Sequence, residues 1–296
     1  MTDLSVDSLV EHLYSAQMLQ LSLFDPNPTS SRPSTQGVAD VIYADSSAIL
    51  ARPTGRLADL DFVINPYQGC TFACTYCYAA FFVPEEEQRE RWGTWVRVKT
   101  NAIAKLRNSR QNLHGRTVLM SSATDPYQPI EARLELTRSL LPILEHRGAR
   151  LAVLTRSPLV TRDIDLFKTF EHFNVTMSIT TDSDEIRKRF EPQCASIDRR
   201  FDALRQLSDA GFRTRINVSP LLPLHDARAF AERILETGVS RVHINTFHEA
   251  SGPFASGTRQ PALSIARELG WTEARRQLVL EELRGYLNRG GRRLAA

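Results

Sequence analysis

"TVLMSSATDPYQPIEARLELTRSLLPILEHRGARLAVLTR", residues 117–156, decides the fold. Its two apolar runs, TVLMSS and RLAVLTR, have the length of strands. The segment between them, about 131–147, has helical period and ends at Gly148, where a left-handed residue commonly closes a helix. The same unit recurs outward in both directions. "DFVIN" precedes it, with a helix expected around 96–108; "VTMSITT", "RTRINVSPLLP" and "RVHINTF" follow, spaced by helical segments near 163–172, 197–210 and 226–237, with Gly211 and Gly238 closing two of these. Six strands alternating with helices predict an α/β fold of parallel β/α units, either an open doubly wound sheet or a curved partial barrel. In both, functional residues gather at the carboxyl ends of the strands.

Three segments follow from this pattern. Residues 1–44 read as an N-terminal helix, with Leu9, Leu13, Ala16 and Leu19 near helical spacing, and a linker, DPNPTSSRPSTQG. Residues 45–250 hold the β/α body. Residues 251–296 read as a loop and a closing helix, with Thr272 as its N-cap and Gly290 past its end.

Of the 296 residues 42% are hydrophobic and 24% charged, the balance of a soluble globular protein, which excludes a disordered or fibrous chain. Asp3, Asp7 and Glu11 near the start argue against a secretory signal, and no run of 18 apolar residues could cross a bilayer. The expected location is the cytoplasm, with no membrane partner. The net charge of +3 is unevenly spread: residues 1–48 carry one basic side chain (Arg32) against six acidic, residues 187–215 eight basic against four acidic. A basic face attracts anions such as nucleotides or nucleic acid; solvated helix faces with ion pairs are the alternative.

Three of the four cysteines fall in eight positions of "NPYQGCTFACTYCYAAFF", residues 65–82, directly after the first strand of the body. Four cysteines are too sparse for a disulfide framework, and clustered thiolates suit iron–sulfur clusters or zinc. A structural zinc needs a fourth ligand, which the local sequence does not offer. A four-iron cluster on Cys70, Cys74 and Cys77 would leave one iron open to a substrate or cofactor. Inert core cysteines fit poorly, because Gln68, Thr71, Thr75 and two tyrosines make the loop polar.

Cys70-x3-Cys74-x2-Cys77, with Tyr76 before the last cysteine, resembles the signature of the radical S-adenosylmethionine (radical SAM) superfamily. The surrounding NPYQGCTFACTYCYA is similar to its branch related to spore photoproduct lyase. SSATDPYQPIE (121–131), LTRSPLVTRDIDL (154–166), SITT (178–181), Glu191-Pro192 and NVSPLLP (217–223) follow in the expected order, so the resemblance covers about residues 45–250. It implies a partial (β/α)6 barrel of the radical SAM type with N- and C-terminal helical extensions, and one [4Fe-4S] cluster. It also implies reductive cleavage of S-adenosylmethionine to a 5′-deoxyadenosyl radical, with electrons from a partner such as flavodoxin or ferredoxin.

Position by position, the resemblance sets Tyr76 against the adenine, and Ser122, Thr124 and Asp125 against the amino group of methionine. Arg156 faces the methionine carboxylate, Ser178 and Thr180 the carboxylate and ribose hydroxyls, and Ser219 the adenosine. Asp125 could instead cap the turn at Pro126. Glu191 and Arg200 resemble the family's E-P…R pair, which implies either direct contact of Glu191 with the cofactor or a buried ion pair that shapes the site. Ser122 stands where the lyase that repairs spore DNA has its hydrogen-donating cysteine, which argues against that strict activity. Cys194 and Tyr78 are candidate radical relays, each with a packing role as the alternative. His243 and His248 stay unassigned, and Trp92 and Trp95 with Arg97 and Lys99 could form a stacking surface, or more simply a helix packing face.

The expected function is hydrogen abstraction from a nucleoside, nucleotide or nucleic acid lesion. The alternatives are a small metabolite or peptide as substrate for the same engine, or a non-catalytic metal-binding module.

Overall fold

Parallel pairing is the first consequence of the strand–helix alternation. The computed structural model describes residues 34–247, 257–290 and 294–295; the expected N-terminal helix, His248 and residues 249–256 of the expected loop lie outside them. The strands before the first full β/α unit are β1 (Thr35–Gln36), β2 (Ala39–Ala44), β3 (Leu50–Ala51), β4 (Phe62–Ile64), β5 (Tyr67–Gln68) and β6 (Trp95–Lys99). Then come β7 (Thr117–Met120), β8 (Arg150–Thr155), β9 (Phe173–Ser178), β10 (Arg213–Val218), β11 (Arg241–Ile244) and β12 (Leu294–Ala295).

The six strands expected from sequence are β4, β7, β8, β9, β10 and β11, and each pairs in parallel with the next. Their order in the sheet is the order in the chain, with β3 added antiparallel at one edge and β12 at the other. A doubly wound sheet reverses its strand order at a switch point. This one does not. Right-handed crossovers in an unreversed order leave all the helices on one side, which is the arrangement of a partial barrel.

Alternation within the strands builds the core. Val118, Val153, Val175, Ile216 and Val242 are buried against the helices in one continuous core, which also takes in Leu140 and Leu144 of helix Leu136–His146, Leu204 and Leu207 of Ile197–Asp209, and Ile234 of Ala227–Glu236. The alternate residues face the other way. Val63, Leu119 and Ala152 form a separate small apolar cluster there, covered by Leu57 and Leu60. Gly148, Gly211 and Gly238 have positive φ at the ends of helices, as expected.

Three readings need correction. The helix expected around 96–108 begins only at Ala102, and the residues before it are β6, which pairs in parallel with β2 and antiparallel with β5 in a four-stranded sheet. Trp-Val-Arg-Val-Lys buries Val96 and Val98 and leaves Arg97 and Lys99 half-exposed, a period of two that overrides the neighbouring helical signal. Trp92 and Trp95 accordingly offer no stacking surface, being buried edge to face with centroids 6.1 Å apart. Finally, part of the expected C-terminal loop is helix Gln260–Glu268, whose Pro261 sits in the first turn, where a missing N–H costs nothing.

Candidate active site

The cysteine loop leaves β5 through Gly69, whose φ of 77° suits a glycine. A β-carbon at 69 would come within 2.7 Å of the Trp95 ring, so the backbone can pass here only because the residue is bare. Cys70 and Cys74 are buried, Cys77 is half-buried, and a 3-10 turn, Tyr78–Phe82, follows. All four cysteines are free thiols.

Three residues shape the loop from outside. Gln128, fully buried, accepts from Thr71 N at 3.0 Å and donates to Gly69 O at 3.3 Å and Thr124 Oγ1 at 3.1 Å. Thr124 Oγ1 donates to the same Gly69 carbonyl at 2.6 Å. Thr75 N donates to Phe190 O at 2.8 Å. Sequence reasoning passed over Gln128, although it lies in the quoted SSATDPYQPIE; a neutral amide announces no chemistry until its partners are known.

Burial pushes the Cys70 thiol well up, with Asp125 and the other two cysteines adding to it, and burial with Cys74 pushes Cys77 up to about 11. Three thiols whose charges oppose one another in a buried loop form a donor set suited to a soft cationic centre. Among the described residues no three His, Cys, Asp or Glu side chains are grouped as for a metal ion.

At the carboxyl ends of β8 and β9 lies a polar network centred on Glu191, which is fully buried. Its Oε1 accepts from Arg156 Nη1 at 3.1 Å, Thr180 Oγ1 at 2.8 Å and the Tyr76 hydroxyl. Arg156 also donates to Tyr76 Oη at 2.6 Å, with its guanidinium 5.7 Å from the ring centroid. Arg200 Nη2 lies 2.5 Å from Glu191 Oε2 without hydrogen-bond alignment, while its Nη1 donates to Ser178 O at 3.2 Å. Burial alone would raise the Glu191 carboxyl; the guanidiniums of Arg200 and Arg156 outweigh it and hold the group at about 2. Tyr76, Arg156, Thr180, Glu191 and Arg200 are thus brought together, with Ser178 touching through its carbonyl.

The remaining candidates are placed differently. Asp125 Oδ1 accepts from Tyr127 N at 2.9 Å and Thr155 Oγ1 at 2.7 Å, and Oδ2 from Arg156 N at 2.9 Å. It therefore caps its own turn and ties the end of β7 to that of β8, with one lone pair of Oδ2 left over. Burial raises its pKa. Ser122 and Ala123 donate their N–H groups to Asn65 Oδ1, each at 3.0 Å, so Asn65 holds this loop as Gln128 holds the other. Tyr78 donates its hydroxyl to Ser122 O at 2.6 Å. Burial, and then Cys77, push its pKa to about 12, although 42% of the residue surface is exposed. Cys194 is buried with its sulfur 3.8 Å from that of Cys74; this contact lowers the Cys74 thiol pKa, and burial together with the contact raises that of Cys194. Ser219 stands half-buried at the end of β10, outside the Glu191 network. His243 Nε2 lies 2.7 Å from Asn245 Nδ2.

Among the described residues no helix is long and apolar enough to cross a membrane. The radical SAM superfamily model matches residues 64–234. The uncharacterized protein MJ0683 of Methanocaldococcus jannaschii is 40% identical over 57% of this chain and 63% of its own length. The uncharacterized protein Rv2578c of Mycobacterium tuberculosis is 28% identical over 64% and 58%. The chain thus spans less than two thirds of these relatives. The Radical SAM Nalpha-GlyT isomerase of Pseudomonas phage M6 is 29% identical over 72% of this chain and 44% of that protein. Among solved structures, a spore photoproduct lyase mutant with bound AdoMet and dinucleoside spore photoproduct superposes with a TM-score of 0.53 at 18% identity, covering 80% of this chain and 78% of that one. Another mutant of the lyase reaches 0.57 at 15% identity, covering 96% and 93%. A cysteine loop at the head of an unreversed parallel sheet, a family match over more than half the chain and this shared fold lead to one conclusion: the chain is an enzyme of the radical SAM superfamily, whose general chemistry is cleavage of S-adenosylmethionine.

Proposed function

We propose that Cys70, Cys74 and Cys77 hold a [4Fe-4S] cluster, and that the enzyme removes a hydrogen atom from a nucleotide unit, free or within nucleic acid. Bound there with S-adenosylmethionine, the cluster would supply the one-electron reduction by which the sulfonium compound is cleaved. The observation that carries this reading is the Glu191 network beside the cysteine loop, a buried carboxylate that aims one arginine, one tyrosine and one threonine toward the same place.

Within it, Glu191 fixes Arg156 as a preoriented partner for the methionine carboxylate, and fixes the Tyr76 ring for packing on the adenine. Thr180 spends its proton on Glu191 and keeps lone pairs for ribose hydroxyls. Ser178 and Ser219 line the ends of the next two strands for the same ligand. Ser122, Thr124 and the free lone pair of Asp125 serve the methionine ammonium. Tyr78, anchored on Ser122 O, is the relay we favour, because it adjoins Cys77 and is partly open to substrate, whereas Cys194 is buried behind Cys74.

For the substrate, the dinucleoside bound to the lyase supports a nucleotide reading of this chain. A reductant of the flavodoxin or ferredoxin type, and the reducing interior of a cell, complete the setting. The test is anaerobic reconstitution with iron and sulfide, then reduction in the presence of S-adenosylmethionine. Brown protein that releases 5′-deoxyadenosine, with both properties lost in Cys74→Ala, is the expected result; iron-free protein, or no release, rules the reading out. Tyr78→Phe should keep that release and slow turnover of a nucleotide substrate; equal turnover removes the relay role.

A further inference from the structure

The face of the sheet turned away from the helices changes character across its width. From β4 to β8 it is apolar, with Val63, Leu119 and Ala152. On β9 it is neutral and polar, with Asn174 and Thr176. On β10 and β11 it is basic. Arg215 and Arg241 are register partners on these parallel strands, and Arg213 lies two residues before Arg215 on the same face. Neighbouring strands are about 4.8 Å apart and like charges directly opposite destabilise a sheet, so the arrangement is costly by itself.

None of the three arginines joins an ion pair or hydrogen bond among the described residues, and the Nε of Arg215 is buried without a partner. Burial, and then the charges of Arg241 and Arg213, lower the pKa of Arg215. The other residues sharing this end of the face are Asn217 and its register partner His243. At the amino ends of the strands, Arg213 and Arg150 line a cleft of about 480 Å³ with Thr117 and Asn174, whose one lining carboxylate, Glu171, has Oε1 3.5 Å from His172 Nε2.

We propose that Arg215 and Arg241, with Arg213 at the rim, form a subsite for the phosphate of a nucleotide unit whose base reaches the carboxyl ends of the strands. Arg215 lies three residues before the end of β10, a rise of about 10 Å, comparable to the span from a nucleotide's phosphate to the far edge of its base. Guanidiniums suit phosphate oxygens because they offer forked donors that stay charged. The subsite rests on the nucleotide reading above and narrows it: the substrate carries phosphate, and a free nucleoside is a poor ligand.

The test measures binding of thymidylyl-(3′→5′)-thymidine, and of its neutral methylphosphonate analogue, to the reconstituted full chain by calorimetry. Wild type should bind the charged dinucleotide about tenfold more tightly than the neutral one, the size expected for a charged hydrogen bond. The double variant Arg215→Gln/Arg241→Gln should bind the two alike, and Arg215→Lys/Arg241→Lys should recover part of the preference, with equal melting temperatures excluding a fold defect. A wild type without preference, or a preference that survives in the Gln variant, overturns the subsite. Release of 5′-deoxyadenosine without nucleotide, measured on the same wild-type preparation, keeps the two readings apart: its absence fells the radical mechanism and leaves the phosphate result standing.

Discussion

The sulfur of Cys194 lies 3.8 Å from the sulfur of Cys74, across 120 residues of chain. A thiol that donates to a cluster-ligating thiolate withdraws charge from it and raises the cluster's reduction potential. Cys194→Ala is therefore expected to load iron normally, with a potential lower by on the order of 50 mV, while Cys194→Ser keeps most of the wild-type value. A redox titration followed by electron paramagnetic resonance decides it, and identical potentials in all three proteins would leave the cysteine a packing role only.

Gln128 predicts a different kind of loss. Replacing it by Leu strands Thr71 N in a buried place, at a cost of about 1–3 kcal/mol where no water can enter, and leaves Gly69 O with the Thr124 hydroxyl as its donor. The variant should fold with a lower melting temperature and hold less iron per chain after reconstitution, although it touches no ligand directly. Full iron content at the wild-type melting temperature would show that the loop does not depend on this amide.

Glu191 gives the molecule an acid dependence. Its carboxyl is held at about 2 in the folded protein against an ordinary 4.5, so the unfolded chain binds the proton first as pH falls. The stability this supplies is complete above about pH 4.5 and is lost as pH drops through about 2. Glu191→Gln leaves Arg200 buried and uncompensated, at a cost of about 3–5 kcal/mol at neutral pH, and flattens the profile between pH 4.5 and 2. Urea midpoints of the iron-free protein across that range check both statements; parallel profiles would refute the assignment.

The strands were legible because Val, Ile and Leu recur in short runs between helical segments, and the ligand loop because three thiols in eight positions have few other uses. β6 was not, since Trp95–Lys99 abuts a true helix and its alternation spans only five residues. Glu191 and Arg156 were found through motif order alone. Their holders were not: Asn65 reaches Ser122 across 57 residues and Gln128 reaches Thr71 across 57, and nothing local in an amide records such a partner. Arg213, Arg215 and Arg241 were visible only as basic residues in alternation, because the register that sets Arg215 beside Arg241 belongs to two strands at once.

The bonds from Gln128, Thr124 and Phe190 to residues 69, 71 and 75 come from segments far along the chain. If Cys70, Cys74 and Cys77 hold the cluster as proposed, these bonds would shape its cradle from the polypeptide side. Unlike a zinc finger, which collapses only around its ion, the loop would then have protein contacts of its own to fold against, and metal assembly would follow folding.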